Sequence, residues 1–292
     1  MTTGGFGVCL FLLLSGFLMA RSSANEMFAD FVKRRVLRIY PLYLVAWITR
    51  YLIQILITDS PDWRIPISDL VGVLTLFGDF WNASLVLGSV DWSLRVEVVA
   101  YCIVALTILL IPVHMRPRIL TIASCTLVIS PTIPSALFSS GYLNIHLPLF
   151  VAGFALGSSR DDGSNGRLTV VSLFNVLLAL VSAGVHRQDL AVSIFFYSNI
   201  FMSLAVFMAI RRMTSYRAGR IVTYLSETSY GIYLMHNWLV FALADSIFGS
   251  RSIVARTISL LLIVALAKPL HTYIERPAMR LARRRFLTSN KS

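Results

Sequence analysis

Charge is scarce in this chain, and negative charge is scarcest. Charged residues make up 14% of the 292, and 14 Asp and Glu face 26 Lys and Arg. With hydrophobic residues at 57% and mean hydropathy at +0.74, that composition excludes an ordinary soluble domain. Cysteine is nearly absent. Cys9, Cys102 and Cys125 all fall in apolar stretches without metal-like spacing, so a disulfide framework is excluded and no metal site is expected. They read as small buried apolar residues. No basic residue precedes the first apolar stretch, FGVCLFLLLSGFLMA at 6–20, although ARSSA follows it. A signal peptide needs a basic n-region ahead of its core, so this stretch reads as a retained helix. Internal repeats and low-complexity linkers are also lacking. The chain therefore reads as a single integral-membrane domain spanning 1–292.

What is present is a series of about nine apolar stretches near the length that crosses a hydrocarbon core. They run approximately 6–20, 39–57, 92–112, 119–134, 142–158, 168–185, 190–210, 226–248 and 252–273. The fold class expected is all-α, a polytopic membrane protein with about nine transmembrane helices. Alternate loops (21–38, 113–118, 159–167, 211–220 and 274–292) hold 19 of the Lys and Arg, and the opposite loops hold three, Arg64, Arg187 and Arg251. This positive-inside asymmetry puts the C-terminus in the cytoplasm. An odd number of spans then puts Met1 outside, yet MTTGG carries no charge and no translocation signal; a lost leading helix would account for that. A net charge of +12 raises the question of nucleic acid. The cations are interleaved with spans, so cytoplasmic loops facing anionic lipid are the better reading, with no nucleic-acid partner. Residues 66–90 are apolar but broken by Asp69, Asp79, Gly72, Gly78 and Gly88. If they spanned, the charge asymmetry would collapse, so a re-entrant or interfacial outer segment is expected. The loop around it, with Asp59, Asp62, Asp69, Asp79 and Asp91, is acidic.

Four motifs carry chemistry. The first is KRRVLRIYP at 33–41, where Arg35 and Arg38 share a helical face. A guanidinium fork suits phosphate or carboxylate, and equally suits a plain topological anchor. Tyr40, Tyr43, Trp47 and Arg50 continue along that helix, and an Arg inside a span is either a functional group or half of a structural ion pair. The second is DWSLRVEVVAY at 91–101. Ser93, Glu97 and Tyr101 follow at intervals of four and form one polar stripe. Glu97 there is either a carboxyl tuned for acid–base work or the partner of Arg95 or another buried Arg. The third is SETSYGIYLMHNW at 226–238, with Ser229, Tyr233 and His236 on one face; His236 is either a proton shuttle or an interhelical hydrogen-bonder. Last, YIERP at 273–277 closes the final span. Pro277 is expected to halt the helix, and Glu275 to form a structural ion pair.

Taken in order, GVCLFLLLSGFLMA, FVKRRVLRIYPLYL, DWSLRVEVVAY, YLSETSYGIYLMHNWLV and YIERPAMRLARRR resemble acyltransferase family 3, the integral-membrane O-acyltransferases, over essentially the whole chain. The resemblance implies about ten spans and transfer of an acyl group, commonly acetyl. The donor substrate would be acyl-CoA on the cytoplasmic side, with no bound cofactor. The acceptor would be a hydroxyl of a sugar in a glycan, a lipid-linked sugar or a secondary metabolite. It places Arg35 and Arg38 at the acyl-CoA and matches Glu97 to the family's W-S-L-x-V-E glutamate. Ser229, Tyr230, Tyr233 and His236 match its late-helix block. The family begins with a helix bearing an arginine and, ten residues on, a histidine; this sequence starts just after that point and reads as N-terminally truncated. Without that histidine, His236 or Glu97 is the candidate catalytic base, and Arg35, Arg38, Tyr40, Arg50, Trp92, Ser93, Ser229, Tyr230 and Tyr233 are candidate substrate-binding residues. The implied location is a bacterial cytoplasmic membrane. The competing reading is an inactive relative or a transporter-like scaffold; a transporter should show repeated halves with matching broken helices, which the sequence does not.

Overall fold

The computed structural model describes residues 5–57, 66–81, 83, 87, 90–129, 142–159, 165–186, 190–212, 219–237 and 253–284. The charges at Asp59, Asp62, Arg64, Arg160, Arg187, Arg217, Arg251, Arg285 and Lys291 lie outside them, as do positions 130–134 and 238–248 of two apolar stretches. So does the side chain of Asp79. Among the described residues the protein is helical throughout, with no strand. The helices are α1 (Gly5–Ser23), α2 (Phe28–Ile57), α3 (Ile67–Thr75), α4 (Asp91–Leu110), α5 (Arg116–Ile129), α6 (Tyr142–Gly157), α7 (Asn165–His186), α8 (Leu190–Arg212), α9 (Arg220–Asn237), α10 (Ile253–Leu270) and α11 (Arg276–Arg284). Short 3₁₀ turns stand at Gly78–Trp81 and Val113–Met115, and one π turn at His271–Glu275.

Among the described residues six stretches are long and apolar enough to cross a bilayer: Gly5–Ser23, Phe28–Ile53, Asp91–Leu110, Gly166–Val185, Val192–Arg212 and Thr257–Ala282. A shorter apolar helix covers Leu143–Gly157. Large apolar side chains stand exposed along these helices, including Leu18, Leu106, Leu109, Leu173, Leu177, Phe201 and Leu261. Such a surface is unsuited to water and is the belt of an all-α polytopic membrane protein. Each of the nine apolar stretches carries a helix. Among the described residues of 66–90 stand nine-residue α3 and a 3₁₀ turn, each too short to span.

The structure corrects three expectations. The basic cluster 33–38 is not in a loop, because α2 already starts at Phe28 and carries Pro41 in its interior. Cys102 is not buried; it lies on the exposed face of α4 that also bears Leu106 four residues on. Pro277 does not halt the last helix, which runs on as α11 to Arg284. The reason is the π turn before it: the Arg276 N–H reaches back to the His271 carbonyl. Proline clashes with the carbonyl four residues earlier in an α-helix. Here that residue is Tyr273, inside the widened turn.

The described residues form two compact units. The first comprises 1–31, 75–83 and 93–216. At its centre α6 is buried on every side from Leu143 to Gly157 and packs against α1, α5 and α7, while α8 packs on α1 and α7. Small residues make this possible. A Cβ at Gly16 would overlap the Phe150 carbonyl, and one at Gly153 or Gly157 would overlap the carbonyl of Leu13 or Phe17. Gly153 and Gly157 are the G-x-x-x-G spacing through which membrane helices bring their backbones together. Around this crossing Cys9, Leu13, Leu149, Ala152, Leu156, Ala179, Ile200 and Phe207 form the core. Arg116 pins the lower edge, donating to the Ser23 carbonyl (2.9 Å) and the Ile111 carbonyl (3.2 Å).

The second unit comprises 32–74, 84–92 and 217–292. Within it α9 packs against α10 and the π turn. The Tyr224 hydroxyl donates to the Val264 carbonyl at 2.5 Å, and Lys268 pairs with Glu227 at 2.6 Å.

Candidate active site

In the first unit the polar stripe of α4 is buried as expected: Ser93 and Glu97 are each 3% exposed and Tyr101 5%. The Tyr101 hydroxyl, one helical turn on, donates a short hydrogen bond to Glu97 Oε1. Ser15 of α1 donates to the same oxygen at 3.4 Å, and the two hydroxyls stand 3.5 Å apart. Two O–H groups directed at one carboxylate oxygen offset the cost of desolvating it. Ser15 escaped the sequence reading because its partner is 82 residues away; the available signal was a lone hydroxyl in the run LFLLLSGFL. Arg95, 2% exposed, turns away from this stripe. Its Nη1 donates to the Ala83 carbonyl at 3.1 Å, and Gly78 lies so close to the guanidinium that a Cβ there would sit 2.9 Å from Nη1. Asn144 and His146 are also fully buried on α6, with His146 edge-on to Phe196 at 6.2 Å. Sequence reasoning missed both, though NIHLP places two polar groups at the head of an apolar run.

The second unit gathers the remaining predicted residues. On α2, Arg35 is half-buried and Arg38 exposed; two residues after Arg38 stands Tyr40, whose ring meets Tyr43 at 6.5 Å. Trp47 stacks on Tyr51 at 6.2 Å. Arg50 is half-buried and interacts electrostatically with Asp91, a fully buried carboxylate in the first turn of α4. A carboxylate there is also favoured by the helix dipole. Trp92 is half-buried beside it.

Two tyrosines fix α9 in this unit. The Tyr230 hydroxyl donates to the Ile39 carbonyl at 2.8 Å, and the Tyr233 hydroxyl to the Val90 carbonyl at 3.1 Å. The first bond anchors the late-helix block beside Arg38. The second anchors it beside Asp91. Ser229 does not join them; it is exposed and its hydroxyl turns back to the Ser226 carbonyl. His236 is half-buried with Nδ1 2.6 Å from the Tyr233 carbonyl and its ring 5.6 Å from that of Tyr233. A carbonyl only accepts, so in the neutral ring Nδ1 carries the proton and Nε2 the lone pair. That is the tautomer of a base working through Nε2. Glu275, expected to pair beside the basic tail, instead meets His271 Nδ1 one turn earlier, at 2.9 Å.

The same residues order by family. An acyltransferase-domain family, acyltransferase family 3, matches residues 1–270. The chain belongs to that family. Its activity is accordingly of the membrane O-acyltransferase kind. The family match takes in α1 through α10; the π turn with His271 and Glu275, and α11, lie beyond it. No curated protein and no solved structure matches the chain. Among the described residues no cluster of His, Cys, Asp and Glu could hold a metal ion.

Proposed function

We propose that the protein moves an acyl group, acetyl in the first instance, from acyl-CoA to a sugar hydroxyl of a glycan, lipid-linked sugar or secondary metabolite. The membrane is the bacterial cytoplasmic membrane, with the C-terminus and the mouth of α2 on the cytoplasmic side. The observation that carries this reading is the second unit's own arrangement. Two guanidiniums, Arg35 and Arg38, stand in the early turns of α2, and α9 is bonded to α2 at Ile39, next to Arg38, by Tyr230. His236 follows Tyr230 by six residues, about 9 Å of helical rise.

Arg35 and Arg38 engage the donor's phosphates, for which planar, always-charged guanidiniums are suited. His236 acts as general base: Nε2 takes the proton of the acceptor hydroxyl as its oxygen attacks the thioester carbonyl. The tetrahedral intermediate then collapses, the C–S bond breaks, and the proton goes to the departing CoA thiolate. Holding thioester and hydroxyl together contributes several kcal/mol toward the barrier. Tyr40, Arg50, Trp92, Tyr230 and Tyr233 shape the substrate side. Glu97, held by Ser15 and Tyr101, is the second candidate for proton transfer, with Ser93 on its stripe. Acetyl-CoA binding to the purified protein tests the donor site. Arg35→Ala with Arg38→Ala is expected to weaken it about a hundredfold, two charge-assisted hydrogen bonds' worth. Unchanged affinity would overturn the assignment.

A further inference from the structure

A hollow of about 300 Å³ opens where the first turns of α9 meet the last turns of α10, lined by Arg220, Thr223, Tyr224, Glu227 and Lys268. None of these residues takes part in the acyl-transfer reading. Lys268 is already committed to Glu227 across the two helices, at 2.6 Å, with its ammonium 5.8 Å from the Tyr224 ring. Arg220 therefore supplies the charge left over within the lining, which carries one net positive charge, and Arg276 acts on Glu227 from outside it. The hollow also sits at the N-terminal turn of an 18-residue helix, where the backbone dipole favours an anion. Thr223 closes that turn, its N–H and hydroxyl both donating to the Gly219 carbonyl at 3.0 and 3.2 Å. Two helical turns before Lys268, on the same face of α10, Leu261 is 64% exposed. A hollow with one net positive charge in its lining thus leads along the helix onto bare apolar surface.

We infer that this hollow binds the phosphodiester of a monoanionic phospholipid, its headgroup phosphate on Arg220 and its acyl chains along α10 past Leu261. Charge complementarity selects this occupant: one phosphodiester neutralises the lining, whereas a zwitterionic lipid leaves it positive. The adjacent apolar surface separates a lipid from a soluble phosphate, which would have no use for it.

The test is native mass spectrometry of the full-length protein released from detergent, titrated with phosphatidylglycerol or phosphatidylcholine. Phosphatidylglycerol is expected to bind at least about tenfold more tightly, and Arg220→Ala to remove about that factor, the worth of one charge-assisted hydrogen bond. Arg220→Gln serves if the alanine variant fails to accumulate. Arg280→Ala, on α11 and outside the hollow, is expected to bind like the wild type. Equal binding of the two lipids overturns the proposal, as does wild-type affinity in the Arg220 variant. An equal loss in the Arg220 and Arg280 variants overturns it too, marking general attraction to basic helix ends. Displacement of phosphatidylglycerol by coenzyme A at comparable concentration would assign the hollow to a nucleotide instead.

Discussion

A carboxyl inside an apolar helix is costly unless other groups hydrogen-bond it, and Glu97 meets that condition through hydroxyls of two helices. The Tyr101 half of the arrangement was legible from the interval of four along one helix. The Ser15 half was not, since nothing in a local pattern tells which distant helix will lie alongside. Arg50 and Asp91 teach the same lesson: Arg50 was visible as an intramembrane charge, but Asp91 read as an outer-loop acid, and its burial in α4 and its interaction with Arg50 needed the fold. Tyr101→Phe should destabilise the protein by about 1–3 kcal/mol, the cost of leaving a buried polar group short of a partner. Thermal unfolding in detergent reads it, and a change under about 0.5 kcal/mol, the size expected of an indifferent surface position, would remove Glu97 from the hydroxyl-held role. His236→Ala should lower acyl transfer by about 10²–10⁴-fold, the usual contribution of a positioned base. Wild-type turnover in that variant would transfer the role to another residue.

At the scale of elements, helix existence followed from apolar length, whereas helix ends did not. The hydropathy of 28–38 falls short of a span because Lys33, Arg34, Arg35 and Arg38 interrupt its apolar residues; the segment is continuous with the apolar turns of α2 and shares their backbone ladder. Pro277 misled for a related reason. Proline is a stop signal only against a regular α-helical ladder, and the π turn at His271–Glu275 supplies a different one. The glycines of α1 and α6 were present in the sequence as GFL and GFALG, but their use as a crossing point became visible only with both helices placed. Gly153→Leu inserts atoms into the backbone of α1 and should cost at least about 1–3 kcal/mol, the usual overpacking penalty. Monodispersity after extraction and the unfolding midpoint measure it. By contrast Gly166, with open space around its Cα, should accept alanine unnoticed.

For the molecule as a whole, composition alone identified a membrane protein, and the order of short motifs identified the family. The positive-inside count makes a further statement. Reporter fusions at position 215 and at the C-terminal tail are expected on the same, cytoplasmic face, since two spans separate them; opposite faces would invert every loop assignment. The acyl-transfer claim stands or falls most directly on chemistry. Membranes from cells producing the full chain, supplied with radiolabelled acetyl-CoA, should move label into a sugar-containing glycan or lipid-linked fraction. That transfer should fall by about tenfold or more with Arg35→Ala plus Arg38→Ala. No label above membranes lacking the protein, or equal label in the variant, would contradict it.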